Sequence, residues 1–279
     1  MITLTEEQFK RFQALIYKHS GIRLDDRKQT LLRSRLQRRL RQIDMDDVDQ
    51  YYRIVTTPNR RDELQALIDV VTTNETSFFR TESHFQWFSD SFLMDAIRDG
   101  KKGLRQKSLR LWSAACSVGA EPYTLLFCMH EKRAVLDGWN IEILASDLST
   151  DTLATAQSGR FKKRLIDGLD DKQTKRFFRE IEGFQPEYEV RPEFAEKIDF
   201  FQHNLMDRLR KPPMDCIFLR NVLIYFDDVS KQKVIANIAE TLVPGGYLVI
   251  GPSEGIYGLD NPLTKISTFL YQKPPIEKT

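Results

Sequence analysis

Residues Leu109–Tyr123 read LRLWSAACSVGAEPY, an apolar run with strand character that runs into a turn at Gly119 and then meets Pro122, a residue suited to the first turn of a helix. Strand, glycine turn and helix in that order form the opening unit of a parallel α/β sheet. The same alternation recurs downstream, with strand-like runs at Ile141–Ser146, Ile198–Gln202, Met214–Leu219 and Tyr247–Ile250 separated by helical stretches. It is interrupted between Gly159 and Lys197, a charged segment punctuated by Gly168, Gly183, Pro186 and Pro192, which we read as an inserted subdomain at about 160–197.

Upstream the pattern is different. Thr5 and Gln8 have capping-box spacing, Phe9, Phe12, Ile16 and His19 recur at helical period, and Gly21 supplies a stop. From Arg27 to Ile43, Leu32, Leu36, Leu40 and Ile43 form a second stripe, while seven Lys and Arg residues appear with no acid among them. On a helical wheel Arg27, Arg35, Arg38 and Arg41 point away from the leucines and are expected to share an open cationic face. Two more helices are predicted at Val48–Val55 and Arg60–Val71. Residues 1–72 thus read as a helical domain, 73–92 as a phenylalanine-rich connector, and 93–279 as the α/β domain.

Composition removes several classes of function. With 279 residues, 41% of them apolar, the chain can bury a core without disulfides. Lys and Arg number 42 against 40 Asp and Glu, too balanced for a surface that grips nucleic acid or lipid throughout. The longest uncharged stretch, Thr241–Ser253, falls short of the roughly 18 residues of a membrane span. The N-terminal residues lack the basic and apolar regions of an export signal, so a cytoplasmic location is expected. Cys116, Cys128 and Cys216 form no CxxC pair and the histidines no HxxxH pair, so no metal site is expected.

Ligands of open α/β sheets bind beyond the carboxyl ends of the strands. The Ser113–Tyr123 loop has one glycine rather than the GxGxxG that a pyrophosphate requires, and Asp147 ends the second strand, where an acid accepts hydrogen bonds from ribose hydroxyls. A ribose without a pyrophosphate fits S-adenosylmethionine.

Three motifs, TTNETSFFR (Thr72–Arg80), WSAACSVGAEPY (Trp112–Tyr123) and FLRNVLIYFD (Phe218–Asp227), together with PGGYL from Pro244, closely resemble the CheR-type chemoreceptor methyltransferases over nearly the whole chain. The resemblance implies an α/β, Rossmann-like S-adenosylmethionine-dependent methyltransferase domain with a small inserted β subdomain, preceded by an all-α domain. It implies esterification of glutamate side chains on chemoreceptors, the adaptation step of chemotaxis, with S-adenosylhomocysteine as product. Cofactor contacts carry over to Asn74, Thr76, Arg80, Glu121, Asp147, Asn204, Leu205, Arg220 and Asn221. Ala120 departs from the family, standing where an acid is common.

Arg220 and Tyr225, at the end of the fourth strand, are the expected catalytic pair that orients the incoming carboxylate. The expected partner is the cytoplasmic helical domain of a membrane-array chemoreceptor, met by Arg35, Arg38 and Arg41. Some family members also hold a receptor C-terminal pentapeptide on a glycine-studded loop of the insert; Phe178–Val190 has only Gly183, so recognition without the pentapeptide is expected. The chain is expected to act as a monomer, without binding nucleic acid or inserting into the membrane. Two alternatives stand beside this reading: a nucleic-acid methyltransferase, prompted by the arginine-rich helix, and a signalling module that binds S-adenosylmethionine without turnover.

Overall fold

A computed structural model describes residues 2–183 and 186–276. The first helix, α1 (Glu6–Ser20), begins at the capping box, where Gln8 N donates to Thr5 Oγ1 at 3.2 Å and Thr5 N to Gln8 Oε1 at 3.0 Å. It stops at Gly21, whose φ of 73° only glycine adopts without cost. A 3₁₀ turn at Asp26–Lys28 leads into α2 (Gln29–Gln42), so the helix proper starts two residues later than Arg27. Leu32, Leu36 and Leu40 of α2 lie in a core with Phe9 and Phe12 of α1, Tyr51 of α3 (Val48–Thr56) and Leu67 of α4 (Arg61–Val71). Leu36 is fully buried, and truncating it to Ala is worth about 2–5 kcal/mol.

The cationic face of α2 is smaller than the wheel predicts. Arg35 turns inward and donates to the carbonyls of Val71 and Thr72, the latter at 3.0 Å, and to Thr73 Oγ1 at 2.8 Å. Its guanidinium satisfies carbonyls left open at the C-terminus of α4, which removes Arg35 from the free face expected of it. Arg39 forks onto the buried Glu63, with bonds of 2.8 and 2.7 Å. Arg38 and Arg41 remain exposed.

The connector ends in helix: α5 (Glu82–Trp87) passes through a π turn at Phe88–Phe92 into α6 (Leu93–Lys101). After these come β1 (Ser108–Ala114), α7 (Ala120–Glu131), β2 (Asn140–Asp147) and α8 (Thr150–Ser158). The insert holds β3 (Arg160–Lys162), α9 (Lys163–Ile166), α10 (Asp171–Phe177), β4 (Phe178–Ile181), β5 (Glu187–Val190) and α11 (Pro192–Ala195). The chain then returns with β6 (Ile198–Gln202), β7 (Met214–Leu219), α12 (Asp228–Thr241), β8 (Leu242–Ile250), β9 (Thr264–Lys265) and β10 (Leu270–Gln272).

The main sheet has the order β6-β2-β1-β7-β8-β10-β9, parallel from β6 to β8 and antiparallel beyond. Alternation along β7 sends Cys216 and Phe218 into one core, with Phe85, Phe88 and Phe127, and Ile217 and Leu219 into the other, with Trp112, Ile235 and Leu248. Strand order reverses between β1 and β7, which opens a crevice beyond their carboxyl ends.

The insert forms an antiparallel sheet, β3-β5-β4, anchored to the main domain by aromatic contacts such as Phe177 on Phe127, ring centroids 3.9 Å apart. The β4–β5 loop, on which the pentapeptide expectation turns, lies in part outside the described residues. Among the described residues no helix is long and apolar enough to cross a membrane.

Candidate active site

The motif after β1 is shaped by its backbone. The strand ends at Ala114 because Ala115 turns left-handed, with φ of 64°, followed by Ser117 at 52° and Gly119 at 90°. A Cβ on Gly119 would lie 2.8 Å from Ala156 Cβ, so α8 packs too closely for any larger residue. Helix α7 starts at Ala120, which leaves Pro122 in its first turn, where no intrahelical N–H is needed. Ala120 itself is fully buried. Asn221 also has positive φ, so three of the six non-glycine residues in this conformation among the described residues, Ala115, Ser117 and Asn221, line one crevice. Such conformations cost roughly 1–3 kcal/mol each and persist where the surroundings enforce them.

Asp147 does part of that enforcing. Ser117 N donates to its Oδ2 at 2.8 Å and Ser149 N to its Oδ1 at 2.9 Å, tying the β1 loop to the end of β2. Burial raises its carboxyl pKa above the ordinary aspartate value, and these backbone N–H groups pull the other way. Each oxygen retains a lone pair for a ligand hydroxyl.

Beyond β7, Arg220 Nη1 donates to Glu121 Oε2 at 2.8 Å, while Ser113 Oγ donates to Glu121 Oε1 at 2.7 Å. The other arm of the fork, Nη2, holds the carbonyl of Arg80 in the connector, and Nε has no protein partner. The guanidinium carbon stands 5.2 Å from the Phe85 ring centroid. The Arg220 side chain is 2% exposed. Its guanidinium is thus paired with Glu121 and ties the first turn of α7 to the connector, while Arg220 still lines the cleft.

The turn that follows is fastened by Glu254, whose carboxylate accepts from the backbone N–H of Asn221 and Leu223 at 2.6 Å and of Gly251 at 2.8 Å. Tyr225 sits on this turn at the cleft mouth.

The helical domain closes over the same place. Arg23 N donates to Tyr225 O at 2.8 Å, Ile22 bridges Phe226, and Asn204 Nδ2 donates to His19 O at 2.7 Å. Lys28 Nζ stands 5.8 Å from the Tyr225 ring centroid. In the connector, Asn74 Nδ2 donates to Thr72 Oγ1 at 3.2 Å and Arg80 Nη1 to Glu75 O at 2.7 Å.

The result is a cleft of about 220 Å³ at the reversal of strand order. The structure brings Asn74, Thr76, Arg80, Glu121, Asp147, Asn204, Leu205, Arg220, Asn221 and Tyr225 together on its wall, and leaves Arg35, Arg38 and Arg41 off it. Sequence reasoning missed Ile22, Leu24, Lys28 and Leu31 from the helical domain, and Leu148 and His203 from the sheet. His203, next to Asn204 at the end of β6, was open to the same strand-end argument. The roof residues gave no local signal.

Comparison with known proteins gives a consistent result. Residues 74–271 match the family described as CheR methyltransferase, SAM binding domain, and residues 7–72 match CheR methyltransferase, all-alpha domain. The chain is 34% identical over 269 residues to the chemotaxis protein methyltransferase of Escherichia coli K12, covering 94% of this chain and 89% of that one. It is 33% identical over 264 residues to the Salmonella typhimurium protein of the same name, covering 92% and 87%. With chemotaxis protein methyltransferase 2 of Vibrio cholerae, identity is 32% over 259 residues, covering 91% and 88%.

Proposed function

The chain belongs to the CheR methyltransferase family, and from that premise we propose that it methylates glutamate side chains of bacterial chemoreceptors as part of chemotactic adaptation. The observation that carries this reading is the convergence of residues from the connector and four strand ends on one cleft, roofed by the domain that bears the cationic helix.

The cleft suits S-adenosylmethionine. Asp147 offers acceptors for ribose hydroxyls, Leu205 and Leu148 offer apolar wall for a purine, and Arg80 offers a fork for a carboxylate. The unpartnered Arg220 Nε and His203 Nε2 are donors or acceptors that the protein itself leaves open. When bound, the cofactor supplies a sulfonium methyl group.

A glutamate with an ordinary pKa near 4.3 is already ionised at neutral pH, so no general base is needed. Its oxygen would take up the methyl group in line, leaving a neutral thioether and a methyl ester. The chain's contribution is alignment to about 3–3.5 Å and exclusion of water. With Arg220 committed to Glu121, Tyr225 is the group at the mouth that orients the acceptor. Tyr225→Phe is expected to lower turnover while leaving cofactor affinity intact.

Arg38 and Arg41 are the surface cations that meet the acidic receptor helix, which the protein engages in the cytoplasm, as a monomer and without the pentapeptide. Peptide mapping by mass spectrometry of receptor fragments incubated with enzyme and cofactor tests the reading. Methyl groups are expected on glutamate side chains; methyl groups confined to amino groups, or transfer to nucleic acid instead, would overturn it.

A further inference from the structure

Glu254, in the loop after β8, is 4% exposed. Among the described residues no cation pairs with it, and its charge is met by backbone N–H groups alone. Oε2 accepts from Asn221 N at 2.6 Å and from Gly251 N at 2.8 Å, and Oε1 accepts from Leu223 N at 2.6 Å. Burying a carboxylate is expensive unless hydrogen bonds satisfy it, and this one receives three charge-assisted bonds. The arrangement calls for an acid rather than an amide, because both oxygens must accept and the amide nitrogen of a glutamine accepts nothing.

The residues it holds belong to the cleft. Asn221, Val222 and Tyr225 line the cleft, whereas Glu254 is not on its wall. Asn221 has φ of 59°, a left-handed conformation that Asn tolerates and that the surroundings must still enforce. Leu223 opens the 3₁₀ turn Leu223–Tyr225, within which Tyr225 N donates to Val222 O and Phe226 N to Leu223 O, both at 3.1 Å. From the helical domain, Arg23 N donates to Tyr225 O at 2.8 Å. The turn is thus fixed at one end by Glu254 and at the other by the roof.

Gly251 is part of the same device. Leu219 of β7 and Ile250 of β8 are register partners, so the Glu254 carboxylate bridges the ends of neighbouring strands. The Gly251 backbone is not left-handed, yet a Cβ there would clash with Glu254 Oε2 and lie 3.1 Å from Asn221 N. The absent side chain is the space the carboxylate occupies.

We propose that Glu254 is a positioning residue for methyl transfer: it sets the backbone of Asn221–Tyr225, and so places Asn221 on the cofactor wall and Tyr225 at the acceptor, while touching neither ligand. The assignment rests on the functional reading above. A misplacement of about 1 Å in such groups is enough to cost on the order of a hundredfold in rate.

The test compares the full chain with Glu254→Gln and with Gly251→Ala, which keeps the buried charge but pushes it off its donors. Each is followed by urea unfolding, hydrogen exchange at the Asn221 and Leu223 amides, cofactor affinity by calorimetry, and steady-state methylation of a receptor cytoplasmic fragment. Both variants are expected to exchange these two amides faster and to bind the cofactor several-fold more weakly. Both should lower kcat about tenfold or more, the factor that one charge-assisted hydrogen bond represents, with receptor KM within about twofold of the parent. The double variant should be little worse than either single one, since both act through one carboxylate. Gly251→Ala decides the matter should Glu254→Gln not fold. Folded variants whose kcat and cofactor affinity stay within about twofold of the parent overturn the proposal. A fall in kcat with exchange at Asn221 and Leu223 unchanged also overturns it, as does activity lost only in proportion to the unfolded fraction. Each of these outcomes leaves the functional reading standing. A parent chain that leaves receptor fragments unmethylated overturns both.

Discussion

Replacing Arg220 by Met strands the carboxylate of Glu121. The two side chains are 2% and 12% exposed and 2.8 Å apart. At an effective dielectric of about 20 their attraction is about 6 kcal/mol, most of which offsets the cost of taking both charges out of water. Deleting both partners is therefore close to neutral, whereas deleting one leaves an uncompensated buried charge worth about 3–5 kcal/mol. Arg220→Met and Glu121→Gln should each destabilise by that amount, and the double variant by about 1–2 kcal/mol, the coupling measured by a double-mutant cycle. Urea unfolding followed by fluorescence suits the purpose, since Trp112 and Trp139 lie in the α/β domain and Trp87, in the connector, packs against its core. Cofactor affinity should stay low in the double variant despite recovered stability, because the Arg80 carbonyl has lost its donor. Single losses below about 1 kcal/mol, or losses that simply add, would refute the argument.

Further expectations concern pH and the cationic helix. His84 is 1% exposed, stacked 4.2 Å from Phe269, and burial beside Arg220 lowers its pKa from 6.5 to about 4. The neutral form is the folded one, so its stability contribution is complete above pH 6.5 and lost as pH falls toward 4, by at most about 3 kcal/mol; His84→Leu should remove that slope from urea titrations across the range. For Asp147 the raised pKa has the opposite sign in the free protein: its contribution to stability is present below the unfolded value of 3.8 and lost as pH rises through the folded one. Cofactor binding needs the ionised form, so calorimetry should show affinity falling on acidification at a pH above that of an ordinary aspartate, and Asp147→Asn should flatten the profile. Arg35→Gln should cost about 1–2 kcal/mol in urea unfolding and weaken cofactor binding through the connector. Arg38→Glu and Arg41→Glu should leave stability within about 0.5 kcal/mol and alter only receptor kinetics.

The strands of the parallel sheet were legible because short, near-continuous apolar runs alternate with helical stretches, and the five runs fall on β1, β2, β6, β7 and β8. At β8 the reading began at Tyr247, whereas the strand runs from Leu242 through a register shift opposite Met214 and Cys216 that Pro244 and the two glycines accommodate. The inward turn of Arg35 was not legible, since a helical wheel gives direction relative to one leucine stripe and says nothing of where the end of α4 lies. The Arg220–Glu121 pair joins the end of β7 to the first turn of α7, and neither neighbourhood signals the other. The roof is joined to the cleft by backbone groups of Arg23 and Tyr225 and by single apolar residues such as Ile22, which carry no period. Motif resemblance pointed to residues that line the cleft, and the three-dimensional arrangement shows which of them also fasten one another.

The central claim is methyl transfer to a receptor carboxylate from a cofactor held in this cleft. Its most direct test is incubation of the chain and a purified chemoreceptor cytoplasmic fragment with methyl-labelled S-adenosylmethionine, scored as methanol released by mild base, with Arg80→Ala beside the parent. Base-labile label in the parent reaction that disappears with Arg80→Ala is the predicted result. Label that resists base, or that persists undiminished in Arg80→Ala, would contradict it.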